Sequence, residues 1–134
     1  MEEKTSTKPN GKKIMIVDDD NFLLDMYSMK FKASGYEVVV SNGPEDALNK
    51  LREGETPDIF IFDIIMPKMD GVAMYTEIVK ENLIPDAHTV VLTNQGQAED
   101  KEKVESMKVD GYIVKALHTP SEVVAMVDDI IAKK

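Results

Sequence analysis

Residues 59–71 read IFIFDIIMPKMDG and are the most informative part of the chain. The segment begins with a short apolar run, turns polar at Asp63, and passes through a loop with Pro67 to Asp70, a residue typical of helix N-caps. Because the apolar run is continuous rather than alternating, it is typical of a strand buried on both faces of a sheet. Similar runs rich in β-branched residues predict four more such strands, at residues 14–17, 36–40, 89–92 and 112–114.

Helical patterns separate these runs. Residues 23–31 carry apolar side chains on one helical face, a second pattern opens at Pro44, and a third is marked by Met74 and its neighbours. The last helix begins with a capping box formed by Thr119 and Glu122. Because strands that alternate with helices need right-handed crossovers, we predict a three-layer α/β domain with a mainly parallel sheet and helices on both faces.

Two segments differ from this regular pattern. Residues 1–12 are polar and contain chain-breaking residues, which predicts a flexible N-terminal tail ahead of a domain at residues 13–134. Residues 97–108 are predicted to be a helix, but a run of charges leaves it few apolar anchors. This helix is either an ordinary solvated element or a movable element that faces a partner.

The composition excludes several classes of protein. The chain has 134 residues, no cysteine and a formal net charge of −9, which removes disulfide scaffolds, thiolate zinc sites and cysteine nucleophiles. No apolar run approaches the roughly 18 residues that a membrane span requires. The acidic balance argues against direct binding to nucleic acid, whose phosphates select basic surfaces. Because the first residues lack the apolar core of a secretory signal, we expect a cytoplasmic protein.

Polar side chains follow four of the predicted strands, where ligands bind in an open parallel α/β sheet. Clustered carboxylates repel one another unless one keeps a proton or a hard cation neutralises them, and Mg²⁺ suits a small set of oxygen ligands. A lysine and a hydroxyl beside them can hold a phosphoryl group, which a carboxylate can attack to form an acyl phosphate. The residues at the strand ends are Asp18, Asp19, Asp20, Asp63, Thr93 and Lys115. Of these, Asp20 is also expected to lie in the N-cap region of the first helix.

The same residues carry a resemblance to a known family. The segments IMIVDDD (14–20), IFIFDIIMPKMDG, VVLT (90–93) and GYIVK (111–115) follow the order found in receiver domains of two-component response regulators. Four motifs in order at strand ends are more specific than any one of them alone. The resemblance covers residues 13–132 and implies a flavodoxin-like (βα)5 fold with strand order 2-1-3-4-5.

The resemblance implies a phosphoacceptor and a metal site. Asp63 would accept a phosphoryl group from the phosphohistidine of a sensor histidine kinase or a histidine phosphotransfer protein. Asp18, Asp19, Asp63 and the backbone carbonyl of Ile65 would bind Mg²⁺. Such a domain catalyses its own phosphorylation and dephosphorylation but is not a turnover enzyme on an external substrate.

The resemblance also implies a conformational switch. Lys115 and Thr93 would contact the phosphoryl oxygens, and Thr93 together with Tyr112 would change the face formed by helix 97–108, the fifth strand and the last helix. That change is a two-state equilibrium biased by the phosphoryl group. It would regulate a downstream protein target or an output domain, and a phosphorylation-dependent dimer is a further expectation.

Two positions differ from the family's usual pattern, and a third affects the lifetime of the acyl phosphate. Ala116 follows Lys115 where the family generally has proline, so we expect a trans bond, because a cis bond costs about 2.5 to 4 kcal/mol. Asn94 replaces a small residue, partly covers the site and is expected to slow phosphotransfer or make it more selective. Ile65 offers no group to orient an attacking water, which predicts slow hydrolysis of the acyl phosphate.

Two other functions remain open from the sequence alone. Residues 17–20 also fit the Asp-x-Asp motif of haloacid-dehalogenase-like Mg²⁺ phosphatases, with Asp18 as the nucleophile. That assignment leaves Asp63 and the loop after it without a role. A receiver-like interaction module that is never phosphorylated is the third hypothesis. The sequence does not distinguish a stand-alone receiver from a part of a longer regulator or hybrid kinase.

Overall fold

The computed structural model describes residues 11–94, 105 and 107–132. These residues form a five-stranded sheet in which every neighbouring pair is parallel, with the order β2-β1-β3-β4-β5. The predicted fold and strand order are therefore confirmed. The strands are β1 (Lys13–Val17), β2 (Glu37–Ser41), β3 (Ile59–Asp63), β4 (His88–Thr93) and β5 (Gly111–Val114). The helices are α1 (Asn21–Ala33), α2 (Pro44–Arg52), α3 (Gly71–Lys80) and α4 (Pro120–Ala132).

The sheet separates two hydrophobic clusters. In β1, Ile14 and Ile16 face the side covered by α1 and α4, whereas Met15 and Val17 face the side covered by α2 and α3. All four side chains are fully buried, and β3 repeats the same alternation. The prediction from continuous apolar runs, burial on both faces, is therefore confirmed for these central strands.

The same prediction is wrong for the second strand. β2 lies at an edge and pairs with β1 alone. Glu37 and Val40 are exposed, while Val38 and Val39 are only half-buried. A β-branched run indicates strand propensity, but full burial also needs a neighbouring strand on each side, and β2 has one only on the side of β1.

Three predicted helix starts are confirmed. Asp20 caps α1 by accepting hydrogen bonds from the second and third backbone N–H groups that follow it. Asp70 caps α3 in the same way through the N–H of Ala73, at 2.8 Å. Thr119 and Glu122 form the reciprocal capping box at the start of α4. These caps fix where each helix leaves the carboxyl edge of the sheet.

Two aspartates fix the register at the opposite, amino edge. The carboxylate of Asp58 accepts the backbone N–H of Lys13 at 2.8 Å, and the carboxylate of Asp110 accepts that of Thr89 at 2.8 Å. Each aspartate precedes one strand and binds the start of its neighbour. These hydrogen bonds therefore set the strand register, which decides which residues lie side by side at the carboxyl edge.

Two sequence predictions fall largely beyond the part of the chain that the structure describes. The predicted tail lies outside it except for residues 11 and 12, and the predicted helix at 97–108 lies outside it except for residues 105, 107 and 108. Within the described ranges, no helix has the length and apolar character needed to cross a membrane.

Candidate functional site

The carboxyl edge of the sheet brings the predicted site residues to neighbouring positions. Asp18 directly follows β1, Asp63 ends β3, Thr93 ends β4 and Lys115 directly follows β5. The chain leaves β1 for β2 on one side and then crosses to β3 on the other, so the strand order reverses beside Asp18 and Asp63. Such a reversal is where open α/β sheets form a ligand-binding crevice.

Three carboxylates meet at this crevice. Asp18, Asp19 and Asp63 each offer an oxygen, and these oxygens all lie within 4.8 Å of one another. Asp18 and Asp63 are buried, whereas Asp19 is exposed. Asp20 instead caps α1, so the third residue of the acidic run contributes to the helix start and not to the cluster.

Lys115 places a positive charge inside the cluster. Its Nζ donates to Oδ2 of Asp18 at 2.8 Å and lies 3.5 Å from Oδ2 of Asp63. The side chains of Lys115, Asp18 and Asp63 are 4%, 0% and 5% exposed. Burial disfavours the charged amine, but the hydrogen bond to Asp18 and the charges of Asp63 and Asp18 raise the pKa of Lys115 above its ordinary value. The lysine is therefore a fixed cation.

The two buried aspartates have different environments. Asp18 is paired at both oxygens, because Oδ2 accepts from Lys115 and Oδ1 accepts the backbone N–H of Asp20 at 2.9 Å. The negative charge of the Asp63 carboxylate is less well compensated. Burial raises the pKa of Asp63 to about 6, with a further rise from the charge of Asp18, against the opposing effects of Lys115 and the backbone N–H of Ile65. Asp63 is thus more basic than an ordinary aspartate.

The remaining predicted residues surround this cluster. Thr93 is fully buried at the end of β4, level with Val114 in the neighbouring strand. Tyr112 is half-buried and packs on the cluster that α2 and α3 cover. The side chain of Ile65 is 61% exposed, and Asn94 is exposed directly after Thr93.

The loop after β5 is ordered by hydrogen bonding despite its lack of proline. Lys115 begins a 3-10 turn, Lys115–Leu117, and the backbone N–H of His118 donates to the carbonyl of Lys115 at 3.3 Å. The peptide bond to Ala116 is trans, as the sequence predicts, and the described residues contain no cis peptide bond. Lys115 therefore reaches the carboxylates from a trans loop.

Gly71 is a site residue whose role the sequence reasoning missed. A Cβ at this position would lie 2.2 Å from the backbone oxygen of Asp63 and 2.9 Å from Cα of Ile64. The backbone N–H of Gly71 also donates to the carbonyl of Ile64 at 2.6 Å. Only glycine allows α3 to start this close to the end of β3. The glycine was visible in the motif, but the approach of helix to strand was not.

Tyr27 is a second missed residue. The sequence places it only on the inner stripe of α1, yet its phenol interacts electrostatically with Lys115, Asp18 and Asp63. Burial is the main cause that raises the pKa of Tyr27, so the phenol stays neutral beside the cluster. No local pattern marks a core tyrosine as a neighbour of residues far away in sequence.

Comparison with known proteins identifies the family. The model of the response regulator receiver domain family matches residues 14–128. The chain therefore belongs to the receiver domains of response regulators, which are signalling switches of two-component systems.

Individual relatives agree with this assignment. The alkaline phosphatase synthesis transcriptional regulatory protein PhoP of Bacillus subtilis is 30% identical over 123 residues, which cover 92% of this chain and 50% of that protein. A CheY-like receiver domain protein from Methanospirillum hungatei superposes with a TM-score of 0.81 at 26% identity, over 91% of this chain and 94% of the other. The BeF3-activated receiver domain DrrB superposes with a TM-score of 0.76 at 26% identity, over 90% of this chain and 97% of the other. The chain spans about half the length of the curated relatives it matches.

Proposed function

We propose that the protein is a phosphorylation-dependent switch in which Asp63 accepts the phosphoryl group. The observation that carries this proposal is the contrast between the two buried aspartates. Asp18 is bound at both oxygens, by Lys115 and by the N–H of Asp20, whereas burial leaves Asp63 with a pKa of about 6. A carboxylate of that basicity is ionised at neutral pH and is a better nucleophile than an ordinary aspartate.

The proposed donor is the phosphohistidine of a sensor histidine kinase or a histidine phosphotransfer protein. An oxygen of Asp63 forms a bond to phosphorus, while the phosphorus–nitrogen bond breaks and its electron pair remains on the imidazole nitrogen. Lys115, 3.5 Å from Oδ2 of Asp63, is placed to balance the charge of the phosphoryl oxygens. Thr93, at the end of the adjacent strand, is the proposed hydroxyl donor to another of these oxygens.

A divalent cation fits the same cluster. Three carboxylate oxygens within 4.8 Å of one another are hard ligands of the kind that Mg²⁺ prefers, and so few of them leave room for water and phosphate. We propose that Asp18, Asp19, Asp63 and the backbone carbonyl of Ile65 hold it. When bound, Mg²⁺ supplies positive charge that reduces carboxylate repulsion and screens the incoming phosphoryl group.

The proposed output of phosphorylation is a change on the face that contains Tyr112. Thr93 would move toward the phosphoryl group, and the half-buried ring of Tyr112 would turn inward. The predicted helix 97–108 would belong to this face, and its residues lie mostly outside the described part of the chain. A downstream protein or an output domain would detect the change in the cytoplasm, and a phosphorylation-dependent dimer is one form of that output.

The acceptor is tested by intact-mass measurement after incubation with Mg²⁺ and acetyl phosphate. We expect the wild type to gain the mass of one phosphoryl group and Asp63→Asn to gain none. Asp20→Asn is the matched control, because Asp20 is a neighbouring aspartate that caps α1. Labelling that persists in Asp63→Asn would refute the proposed acceptor.

The same experiment separates the phosphatase hypothesis. A phosphatase of the kind considered above would use Asp18 as the nucleophile, so label would disappear in Asp18→Asn and persist in Asp63→Asn. The pairing of both Asp18 oxygens argues against that outcome. Complete absence of labelling in the folded wild type would favour the interaction module.

The switch is tested with beryllofluoride, since the similar receiver domain DrrB is described as BeF3-activated. The chain has no tryptophan and four tyrosines, so its intrinsic fluorescence comes from tyrosine. We expect Mg²⁺ with beryllofluoride to change this fluorescence in the wild type and to have a smaller effect in Tyr112→Phe. An equal change in both proteins would remove Tyr112 from the proposed switch.

The exposed side chain of Ile65 bears on the lifetime of the phosphorylated form. It presents no polar group to a water near Asp63, so we propose slow hydrolysis of the acyl phosphate. The half-life is measured by following the loss of the phosphoryl mass after removal of the donor. A half-life of seconds in the wild type would contradict this proposal.

A further inference from the structure

The first helix of the fold is apolar on two opposite faces. Its inner face packs into the core through Leu24, Tyr27 and Phe31, which are buried. Its outer face also carries apolar side chains where a surface helix normally has polar ones. These outer residues are Phe22, Met26, Met29 and Ala33.

The spacing of the outer residues is that of a helix–helix seam. Positions 22, 26, 29 and 33 are separated by four, three and four residues, the heptad spacing of paired helices. Phe22 is 72% exposed and Met29 is 68% exposed. Large apolar side chains gathered on one exposed face mark an interaction surface. Their heptad spacing is that of a helix that packs against another helix.

We propose that this outer face of α1 packs antiparallel against the α1 helix of a second copy of the chain. The antiparallel arrangement places the bulky Phe22 of one copy opposite the small Ala33 of the other. It also places Met26 of one copy opposite Met29 of the other. A parallel arrangement would instead pair each residue with itself, with two phenylalanines at one end and two alanines at the other.

The charges on α1 favour the same orientation. Exposed acidic residues lie toward its N-terminal end, at Asp20 and Asp25, and exposed lysines lie in its last turn, at Lys30 and Lys32. Antiparallel packing brings the acidic end of each copy beside the basic end of the other, as a two-fold symmetric interface requires. Parallel packing would bring like charges together at the basic end.

The predicted dimer is weak and reversible. α1 has only 13 residues, so the seam is three to four turns long and much smaller than a permanent subunit interface. The contact uses neither Asp63 nor Lys115. The inference is therefore independent of the proposed phosphorylation and makes a separate prediction about oligomeric state.

Sedimentation velocity across a range of protein concentrations tests the dimer. We expect the apparent mass to rise with concentration from 15.0 kDa toward twice that value. Met29→Glu should weaken association by about tenfold or more, because it places a charge in the seam. Val79→Glu is the matched control: Val79 is also an exposed apolar residue, but it lies on α3. Thermal melts establish that both variants remain folded.

Disulfide trapping tests the orientation, because the chain has no cysteine of its own. We expect a mixture of Phe22→Cys and Ala33→Cys proteins to form a mixed disulfide dimer under mild oxidation. Ala33→Cys alone should form little dimer. Efficient self-crosslinking of Ala33→Cys would overturn the antiparallel arrangement in favour of a parallel one.

Two results would overturn the inference as a whole. One is a mass of 15.0 kDa at every concentration. The other is a dimer that Met29→Glu leaves unchanged. If the isolated protein is monomeric and Met29→Glu instead reduces phosphorylation by a helical phosphodonor protein, that donor and not a second copy covers the seam.

Discussion

The substitution Asp63→Asn should stabilise the metal-free protein at neutral pH. Asp63 is almost fully buried, and its pKa rises from an ordinary value of 3.8 to about 6. Because one pKa unit corresponds to about 1.4 kcal/mol, the buried charge reduces the free energy of unfolding by about 3 kcal/mol at high pH. Asparagine removes the charge with little change of shape. The pKa of about 6 already includes the opposing attraction of Lys115, 3.5 Å away, so we expect a net increase of up to about 3 kcal/mol.

The pH dependence gives this prediction a defined sign. Below pH 3.8 the carboxyl is protonated in both the folded and the unfolded state, so wild type and variant should differ little. Between pH 3.8 and about 6 the unfolded wild type ionises this carboxyl while the folded protein keeps its proton, so the wild type loses stability that the variant keeps. The advantage of Asp63→Asn should therefore grow between about pH 4 and pH 7 and stay constant above that.

Urea unfolding with EDTA present, at intervals from pH 4.5 to pH 8, measures the effect. Asp18→Asn is the control, because Asp18 makes the 2.8 Å ion pair with Lys115 and accepts the N–H of Asp20. Its loss should lower the free energy of unfolding by about 3 kcal/mol, the opposite sign to Asp63→Asn. Two neighbouring buried aspartates are thus predicted to respond in opposite directions. An Asp63→Asn protein that is less stable than wild type at pH 8, or whose advantage does not vary with pH, would refute the reasoning.

Three further predictions concern the stability of the site and its supports. Millimolar Mg²⁺ should raise the melting temperature of the wild type and leave that of Asp19→Ala nearly unchanged; an equal rise in both would count against the metal site. Gly71→Ala should lower the free energy of unfolding by about 3 kcal/mol or more, because the new Cβ would lie 2.2 Å from the backbone oxygen of Asp63, and unchanged urea unfolding would contradict this close approach. Tyr36→Phe should cost about 1 kcal/mol by removing the 2.5 Å hydrogen bond to Asp128 on α4, whereas a neutral result would mean that water replaces that bond fully.

The sequence predicted the fold and which residues lie together at the carboxyl edge of the sheet, because both depend on local order. Each apolar run ends at a chemically distinct residue, and parallel strands bring those ends to one edge. Asp18, Asp63, Thr93 and Lys115 could therefore be grouped before any distance was known. The capping patterns at Asp20, Asp70 and Thr119 are equally local, which is why those helix starts were predicted correctly.

The parts that could not be predicted depend on contacts between distant residues. Nothing in the sequence indicates that Lys115 donates to Asp18 and lies farther from Asp63. The close approach of Gly71 to the end of β3 and the phenol of Tyr27 near the carboxylates are likewise products of packing. The exposure of β2 was missed for the same reason, because exposure depends on neighbours that a run of valines does not specify.

The burial of Asp63 weakens the metal-free fold and also prepares the proposed chemistry. α3 begins against the backbone of Asp63 because Gly71 has no side chain, and burial of the Asp63 carboxylate raises its pKa to about 6. A more exposed carboxylate would be less costly to ionise, but it would also be a weaker base and nucleophile. The only lysine in the cluster, among the described residues, lies closer to Asp18 and thus leaves the negative charge of Asp63 incompletely compensated. A metal ion at Asp63, or a phosphoryl group beside Lys115, would therefore compensate charge that the metal-free site leaves unbalanced, and this gain in electrostatic free energy is what can bias the equilibrium between two conformations.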